Sequence, residues 1–385
     1  MLPIDYSIRN LGRSPLRLVL SVSGSALVAL LAITSVGFVV GMNEALGTSG
    51  RHDNIMLVGA GSEESLERSE ISPQVGEIVA ADADGIASAM GIPLVSPQVH
   101  VALPVGPPEA GTVALFRGIT APAFLVHPQV RVVSGRAPDP GTDEIALGRE
   151  AAAMLGRAGL AHEIGGALHL EGRSLSIVGL FAAPGTVFEG EIWMNLQSLK
   201  IATQRTTDSC VIVGLVPEGD IADLEALAAV RLDLELAVVR ESDYFATLGS
   251  FLAPVRWLVM ATALLVTIGG LLGGVIVMDA AFASRVREFG TLQALGFRRR
   301  AIVRSLFLEA TLASFAGGLI AAAIAFTLVD GLSVRSTMGA FAVRVDLIAI
   351  AAGLVSGLLL GVVGAIVPAG RCLRLPIPVA LKAAT

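Results

Sequence analysis

Residues 257–278 read WLVMATALLVTIGGLLGGVIVM and contain no charged side chain, although Arg256 precedes this run and Asp279 follows it. A helix that crosses a hydrocarbon core of about 30 Å needs about 20 mostly apolar residues. The run therefore predicts a transmembrane helix over residues 254–278. The whole chain has 385 residues, of which 54% are hydrophobic and 16% are charged. Soluble domains carry about 25% charged residues, so the composition also favours an integral membrane protein.

Three further stretches of the chain are long, apolar and free of charge. These runs lie between Arg17 and Glu44, between Glu309 and Asp330 and between Asp346 and Arg371, and they predict the other spans over residues 18–42, 306–329 and 346–370. The first is too long for the apolar core of a cleaved signal peptide, which runs to about 7–15 residues. We expect no ionisable side chain inside any span, and this expectation argues against a proton- or ion-coupled transporter.

The distribution of Lys and Arg predicts the orientation in the membrane. Basic residues are enriched in residues 1–17, in the loop 279–305 and in the tail 371–385, which predicts that these segments and both termini are cytoplasmic. Residues 43–252 and the short loop 330–345 then lie outside. Residues 42–252 hold 12 Lys and Arg against 27 Asp and Glu. The expected location is the cytoplasmic (inner) membrane.

The large outer segment reads as a mixture of strands and helices. Helical patterns cover Ile145–Leu155 and Asp220–Ala229, with Asp220 as an N-cap. Alternating apolar runs predict strands at Asn54–Val58, Val99–Val105, Val113–Ile119, Leu168–Leu170, Leu175–Phe181 and Cys210–Val216. The predicted fold is a four-helix membrane protein with a mixed α/β extracytoplasmic domain inserted between helices 1 and 2.

No motif in the chain predicts catalysis, a metal site or a bound cofactor. The histidines lack metal-ligand spacing, so we expect them to be solvated or locally hydrogen-bonded, and Cys210 to be a buried free thiol. A Walker A motif needs Gly-Lys followed by Ser or Thr. The only lysines are Lys200 and Lys382, and leucine precedes each of them. The chain is therefore not expected to be an enzyme, and any ATP and Mg²⁺ must be held by a partner. The net charge of −6 implies no nucleic-acid partner.

Glycines recur at helical spacing inside two of the predicted spans. Small residues four apart let helix backbones approach closely in lipid. Packing within the four-helix unit and pairing between two subunits explain this spacing equally well. The candidate packing positions are Gly269, Gly273, Gly353, Gly357 and Gly361.

The loop between the second and third spans carries the most informative motif. Residues 284–310 read SRVREFGTLQALGFRRRAIVRSLFLEA. Phe289, Leu292 and Leu295–Gly296 can form a short apolar face with arginines on both sides. Such a segment either lies at the lipid surface or docks into a groove on a cytoplasmic partner.

This motif, R-x-R-E-x-G-T-L-x-A-L-G followed by basic residues and F-L-E-A, resembles the signature of MacB/FtsX-like ABC transporter permeases. Residues 9–17 (RNLGRSPLR) are similar to the family's opening, and residues 368–382 (PAGRCLRLPIPVALK) to its closing tail. Residues 144–195 resemble its extracytoplasmic domain. The resemblance spans the chain, which lacks the ATPase domain that is fused in MacB itself.

The resemblance implies partners and a mechanism. Two permease chains pair, as a homodimer, above separate ABC ATPases of the MacB, LolD or FtsE type, and a periplasmic adaptor can join them. ATP hydrolysis moves the outer domains by mechanotransmission, which exports or extracts a periplasmic or membrane-associated substrate. Two alternatives stay open: a Lol-like subunit that releases lipoproteins, and an FtsX-like regulator of a periplasmic hydrolase.

The resemblance also assigns roles to residues of the loop. Basic anchors to anionic membrane lipid are expected at Arg298, Arg299 and Arg300. We expect Gly296 to allow a close approach of backbones. The helix that the ATPase grips is expected to include Arg287, Glu288, Phe289, Gly290, Leu292, Leu295, Gly296 and Phe297.

Overall fold

The computed structural model describes residues 15–106, 112–170, 172–283, 285–336 and 339–372. Most of the predicted cytoplasmic segments 1–17 and 371–385 lies outside these residues. The chain divides into two compact units. The helical unit comprises residues 1–40, 254–332 and 343–385, and the α/β unit comprises residues 41–253 and 333–342.

Regular structure covers most of the described residues. The helices are α1 Pro15–Ser49, α2 Val75–Asp82, α3 Ala123–Val126, α4 Arg149–Arg157, α5 Leu196–Thr203, α6 Ile221–Val230, α7 Glu241–Phe251, α8 Ala253–Ala283, α9 Val286–Ala294, α10 Arg299–Ile324 and α11 Leu347–Cys372. The strands are β1 Asn54–Gly59, β2 Ser88–Ala89, β3 Ile92–Pro93, β4 Val95–Val105, β5 Thr112–Ile119, β6 Arg131–Gly135, β7 Glu144–Gly148, β8 Ala167–Leu170, β9 Arg173–Ala182, β10 Glu191–Asn195, β11 Cys210–Gly214, β12 Leu236–Arg240, β13 Ser333–Ser336 and β14 Gly339–Ala342.

Four helices of the described residues, α1, α8, α10 and α11, are long and apolar enough to cross a membrane. This agrees with the number predicted from the charge-free runs. Small and branched apolar side chains pack between these helices in the helical unit, because the interior has little room between closely spaced backbones. This core comprises Ala29, Ile33, Ala321, Ala325, Val345 and Ala349.

One expectation about the spans was wrong. Glu309 lies inside α10, which begins at Arg299, and within the predicted span 306–329. Its side chain is buried and pairs with Arg285. A carboxylate is tolerated at such a position when a basic partner offsets the loss of hydration. Since the partner lies 24 residues away in sequence, the search for uncharged runs could not reveal the pair.

The α/β unit is built on a ten-stranded sheet with the order β12-β1-β11-β4-β5-β10-β7-β9-β6, and β8 pairs with β9. Strand β4 belongs to both halves of this sheet. Its residues Val95–Gln98 pair with β11, and Val99–Val105 pair with β5. The pairs β5–β10 and β7–β9 are parallel, and the other neighbouring pairs of this sheet are antiparallel.

Each half of the sheet has its own hydrophobic core. The first core, beneath α2 and α6, comprises Ile55, Leu57, Ile71, Val75, Val79, Val95, Val211, Val213, Leu215 and Leu224. The second core, beneath α4 and α5, is larger and includes Phe116, Ile145, Leu147, Leu155, Leu175, Ile177, Ile192, Met194 and Leu199. Strand β4 is shared by the two halves, so the polar residues of β4 and β5 lie between the two cores.

Most local predictions for this unit agree with the structure. All six predicted strands are present, and the Asp220 side chain accepts a hydrogen bond from the Ala222 N–H at 3.2 Å, as expected of an N-cap. The predicted helix Ile145–Leu155 was wrong at its start, because Glu144–Gly148 forms β7 between β10 and β9. Cys210 is buried and free, and burial raises the pKa of its thiol to about 12.

A buried polar cluster occupies the join between the two halves. The Arg117 guanidinium donates to both carboxylate oxygens of Glu191 at 2.6 Å and to Gln98 Oε1 at 2.6 Å. Glu191 also accepts from Trp193 Nε1 at 2.7 Å. His100 is buried, and its Nε2 lies 3.4 Å from Gln98 Oε1, so its ring is locally hydrogen-bonded, one of the two environments expected for the histidines. Burial, reinforced by Arg117, lowers the pKa of His100 well below its usual value.

Candidate coupling segment

Helix α9, Val286–Ala294, connects the second and third long apolar helices of the helical unit. It ends in a tight turn at Gly296, where φ is +88°. The Phe297 N–H donates to the Leu292 carbonyl at 3.1 Å, and the Gly296 N–H donates to the Gln293 carbonyl at 3.0 Å. These two bonds form a Schellman motif, which favours glycine because its left-handed residue has no Cβ to clash.

The structure shows a backbone role for Gly296, and its close approach to a partner stays a prediction. A Cβ added there would meet no atom within 4 Å in the described part of the chain. The glycine is needed for its backbone conformation, and among the described residues it makes no close helix contact. A larger residue at this position would strain the turn that separates α9 from α10.

One side of α9 packs inside the helical unit. Phe289 is 2% exposed, and its ring meets Phe282 edge-on at 6.3 Å between centroids. Leu292 packs more loosely against the same group of side chains. The cluster also includes Ile302, Leu306, Ala310, Ala365 and Ala369 from α10 and α11. Through this apolar contact α9 packs against the first turns of α10 and the end of α11.

A buried ion pair fixes the start of α9 as well. Arg285 Nη1 lies 3.4 Å from Glu309 Oε2, and both side chains are about one-tenth exposed. Arg285 Nε also donates to the more exposed Glu288 at 3.1 Å, and its guanidinium lies 5.3 Å from the centre of the Phe289 ring. The pair joins residues on either side of the turn, so α9 and α10 are held together by charge as well as by packing.

The opposite side of α9 is open. Arg287, Glu288 and Thr291 are exposed, and Leu295 is 71% exposed. The sequence grouped Phe289, Leu292 and Leu295–Gly296 in one apolar face. The structure separates them, since Phe289 and Leu292 face the interior and Leu295 does not.

The remaining predicted site residues occupy both environments. Gly290 is buried beside Phe289, and Phe297 is half-buried where the turn ends. Arg298, Arg299 and Arg300 are exposed at the start of α10. Arg299 and Arg300 border a shallow pocket of about 290 Å³ together with Arg304. Its concentration of positive charge suits an anionic headgroup.

The candidate packing glycines fall into two groups. Gly353 lies against Ile33, Gly357 against Ala29, and Gly361 against Ser314, so a Cβ at the first or third position would overlap a neighbouring helix. Gly269 and Gly273 face open space, where an added Cβ would meet nothing within 4 Å in the described residues. Their neighbours Gly270 and Gly274 make the contacts with Val28 and Leu360 instead.

Comparison with known families identifies the part of the chain that contains α9. Residues 259–377 match the family described as FtsX-like permease C-terminal. This part of the chain is an FtsX-like permease region. The FtsX-like permease region includes α9, α10 and the described part of α11, together with the buried Arg285–Glu309 pair. This match confirms the family resemblance that the loop motif indicated. A separate comparison with curated proteins gave no match.

Two solved structures are similar to another part of this chain. The periplasmic region of MacB from Actinobacillus actinomycetemcomitans is 12% identical with a TM-score of 0.40, over 51% of this chain and 92% of that one. The extracellular domain of the noncanonic ABC-type transporter YknZ from Gram-positive bacteria is 16% identical with a TM-score of 0.38, over 48% of this chain and 99% of that one. At these scores the similarity assigns no activity.

Sequence reasoning missed the Arg285–Glu309 pair. The available signal was the single carboxylate within the apolar run 306–329, because an acidic residue in such a run normally has a basic partner. In the sequence, Arg285 is only one of several arginines in the basic loop. The 24-residue spacing between Arg285 and Glu309 does not by itself indicate a contact. The two side chains meet because the turn at Gly296 folds α9 back against α10.

Proposed function

We propose that this chain is the permease subunit of an ABC transporter and that it works as a homodimer with a separate ABC ATPase. The observation that carries the proposal is the arrangement of α9 in the FtsX-like permease region. One side of α9 is packed and ion-paired within the helical unit, while the other side is free to meet a partner. ATP and Mg²⁺ would be bound by the ATPase alone.

The anchoring of α9 supports force transmission in this proposal. A partner that grips the exposed side of α9 would move α10 with it, because Phe289 and the Arg285–Glu309 pair tie the two helices together. We infer that this movement reaches the α/β unit outside the membrane by mechanotransmission. The result would be export or extraction of a periplasmic or membrane-associated substrate, with a periplasmic adaptor as a further partner.

Glycines of α1 and α8 that make no close contact within the described residues suggest where the second permease chain packs. Gly24, Gly269 and Gly273 border an apolar groove of about 470 Å³ in the helical unit. Small residues allow close approach of helices in lipid, where apolar burial alone gives little drive for association. We infer that the second copy packs along this groove.

Replacing Leu295 by aspartate should weaken association with the ATPase at least about 30-fold. The exposed leucine would be the apolar anchor of the contact, and a buried charge in its place costs about 2 kcal/mol or more. Affinity purification of the tagged chain, with quantification of the ATPase that co-purifies, measures the effect. Leu232→Asp is the matched control, since Leu232 is 77% exposed but lies in the α/β unit.

Two outcomes would contradict this assignment. If Leu295→Asp retains the ATPase as well as Leu232→Asp does, the exposed side of α9 is not the contact. If replacing Arg298, Arg299 and Arg300 by alanine is the damaging change instead, the segment lies at the lipid surface and does not grip the ATPase.

Cysteine labelling should show that α9 and the α/β unit are on opposite sides of the membrane. In a variant with Cys210→Ala and Cys372→Ala, Glu163→Cys should react with a membrane-impermeant maleimide in intact cells. Arg299→Cys should react only after the cells are opened. Glu163 and Arg299 are both exposed, so burial does not explain a difference. Labelling of position 299 but not of position 163 in intact cells would reverse the orientation.

A further inference from the structure

The α/β unit contains a cavity of about 380 Å³ that the proposed ATPase coupling does not use. Its size lies within the range of about 300–1,000 Å³ found for small-molecule sites. Three parts of the unit surround it: the loop after β1, the polar cluster at the join of the sheet, and helix α7. Every lining residue belongs to the α/β unit.

One wall of the cavity is apolar and aromatic. Helix α7 contributes Tyr244, Phe245, Leu248 and Phe251, and strand β5 contributes Leu115. Phe245 and Leu248 are almost fully buried, whereas Phe251 is 43% exposed at the edge. Aromatic and branched side chains that line a partly open space offer a surface for a flat or branched apolar group.

The floor of the cavity is polar, buried and neutral overall. It is formed by His100, Arg117 and Glu191 of the polar cluster, each no more than 4% exposed. The positive charge of Arg117 is balanced by Glu191. In the described part of the chain, Gln98 and Glu191 accept three of the five N–H groups of Arg117. Two N–H groups are left to donate to a ligand, so the floor favours a hydrogen-bond acceptor such as a carbonyl or sulfonyl oxygen.

The mouth of the cavity carries excess negative charge. Glu64 and Glu67 are exposed there, against the single guanidinium of Arg68. Across the whole lining, three carboxylates face two guanidinium groups while His100 is neutral. An anionic ligand would therefore be repelled, and a ligand with a positive group at its outer end would be attracted.

We propose that this cavity binds a small amphipathic amine, with its apolar body against α7, a neutral hydrogen-bond acceptor at Arg117 and its cationic group near Glu64 and Glu67. The proposal goes beyond the coupling function and does not rest on it. Binding at this site needs only the α/β unit and would persist in a chain whose contact with the ATPase is lost.

Dansyl cadaverine is a suitable probe, because it combines an apolar ring, sulfonyl acceptors and an alkyl ammonium group. The full chain in lipid nanodiscs should enhance dansyl fluorescence with saturation, after subtraction of the signal from empty nanodiscs. A dansyl derivative of 6-aminohexanoic acid has a carboxylate in place of the ammonium group. We expect it to bind about tenfold more weakly, a difference that two partly screened carboxylates can supply.

Charge variants test the mouth of the site. Glu64→Gln with Glu67→Gln should remove the preference for the amine over the acid. Glu70→Gln with Glu77→Gln is the matched control, because it removes the same charge from exposed positions that do not line the cavity. If this control lowers the preference as much as the mouth variant does, the effect is general electrostatics and the assignment is wrong.

A filling variant tests the cavity itself. Leu115→Trp places a larger ring in the space and should abolish saturable binding of both probes, with the circular dichroism spectrum unchanged. Unchanged binding by a folded Leu115→Trp chain would overturn the proposal, as would equal saturation in empty nanodiscs. Should Leu115→Trp fail to fold, the comparison of the two double glutamine variants still decides the question.

Discussion

Replacement of Glu191 by alanine should lower the free energy of unfolding of the α/β unit by about 3–5 kcal/mol. The change leaves the Arg117 guanidinium buried without its salt-bridge partner, and Trp193 Nε1 loses its acceptor. Taking a charge out of water is tolerable only while its partner and hydrogen bonds are in place. Denaturant unfolding followed by Trp193 fluorescence measures the loss. A Trp257→Phe background makes Trp193 the only tryptophan, since the chain has two.

Two comparisons separate a buried charge from a missing contact. Arg117→Met with Glu191→Gln removes both charges and keeps an acceptor for Trp193, so most of the lost stability should return. Glu144→Ala breaks an Arg–Glu pair of similar 2.6 Å geometry with Arg136, which is half exposed. Water can solvate the Arg136 guanidinium in this variant, so we expect a much smaller loss in the free energy of unfolding. An equal loss in Glu144→Ala and Glu191→Ala would show that burial is not the cause.

Replacement of Glu309 by leucine should release α9 from the helical unit. Arg285 would then be buried without its interior partner, which costs about 3–5 kcal/mol, and it would regain hydration if α9 moved away from α10. A cysteine at position 292, which is half-buried against the cluster around Phe289, reports this release. Its rate of reaction with a maleimide should rise at least about tenfold in the Glu309→Leu background.

The same arginine provides the control for this experiment. Arg285 also pairs with Glu288, whose side chain is 54% exposed, so Glu288→Leu should change the reactivity of position 292 little. Arg285→Met together with Glu309→Leu replaces both charges by apolar groups and should restore slow labelling. Faster labelling in Glu288→Leu than in Glu309→Leu would contradict the assignment of Glu309 as the anchor.

Local sequence patterns predicted secondary-structure elements better than they predicted contacts between residues distant in sequence. The four long apolar helices follow from charge-free length alone, because a hydrocarbon core sets the same requirement for each segment independently. The N-cap at Asp220 and the six strands likewise depend on neighbouring residues. The error at Ile145 arose because β7 lies between two other strands, and its apolar run suits a buried strand as well as a helix.

Helix α9 was predicted in position but not in orientation. The loop motif located α9 and its family, and residues 259–377 carry that match. At 3.6 residues per turn Leu295 lies about 120° from Phe289 around the helix axis, so periodicity separates the two but cannot show which side packs inward. The left-handed turn at Gly296 was not predicted, because a close contact with a partner favours glycine as well and the sequence pattern is the same for both.

The sequence by itself determined what each segment could become: apolar length predicted the long apolar helices, and alternation predicted the strands. The tertiary structure alone decided which groups meet. Arg285 with Glu309, and Arg117 with Glu191, are 24 and 74 residues apart in sequence. Their pairing depends on how separate elements pack, and burial converts weak surface attractions into contacts whose loss is strongly destabilising.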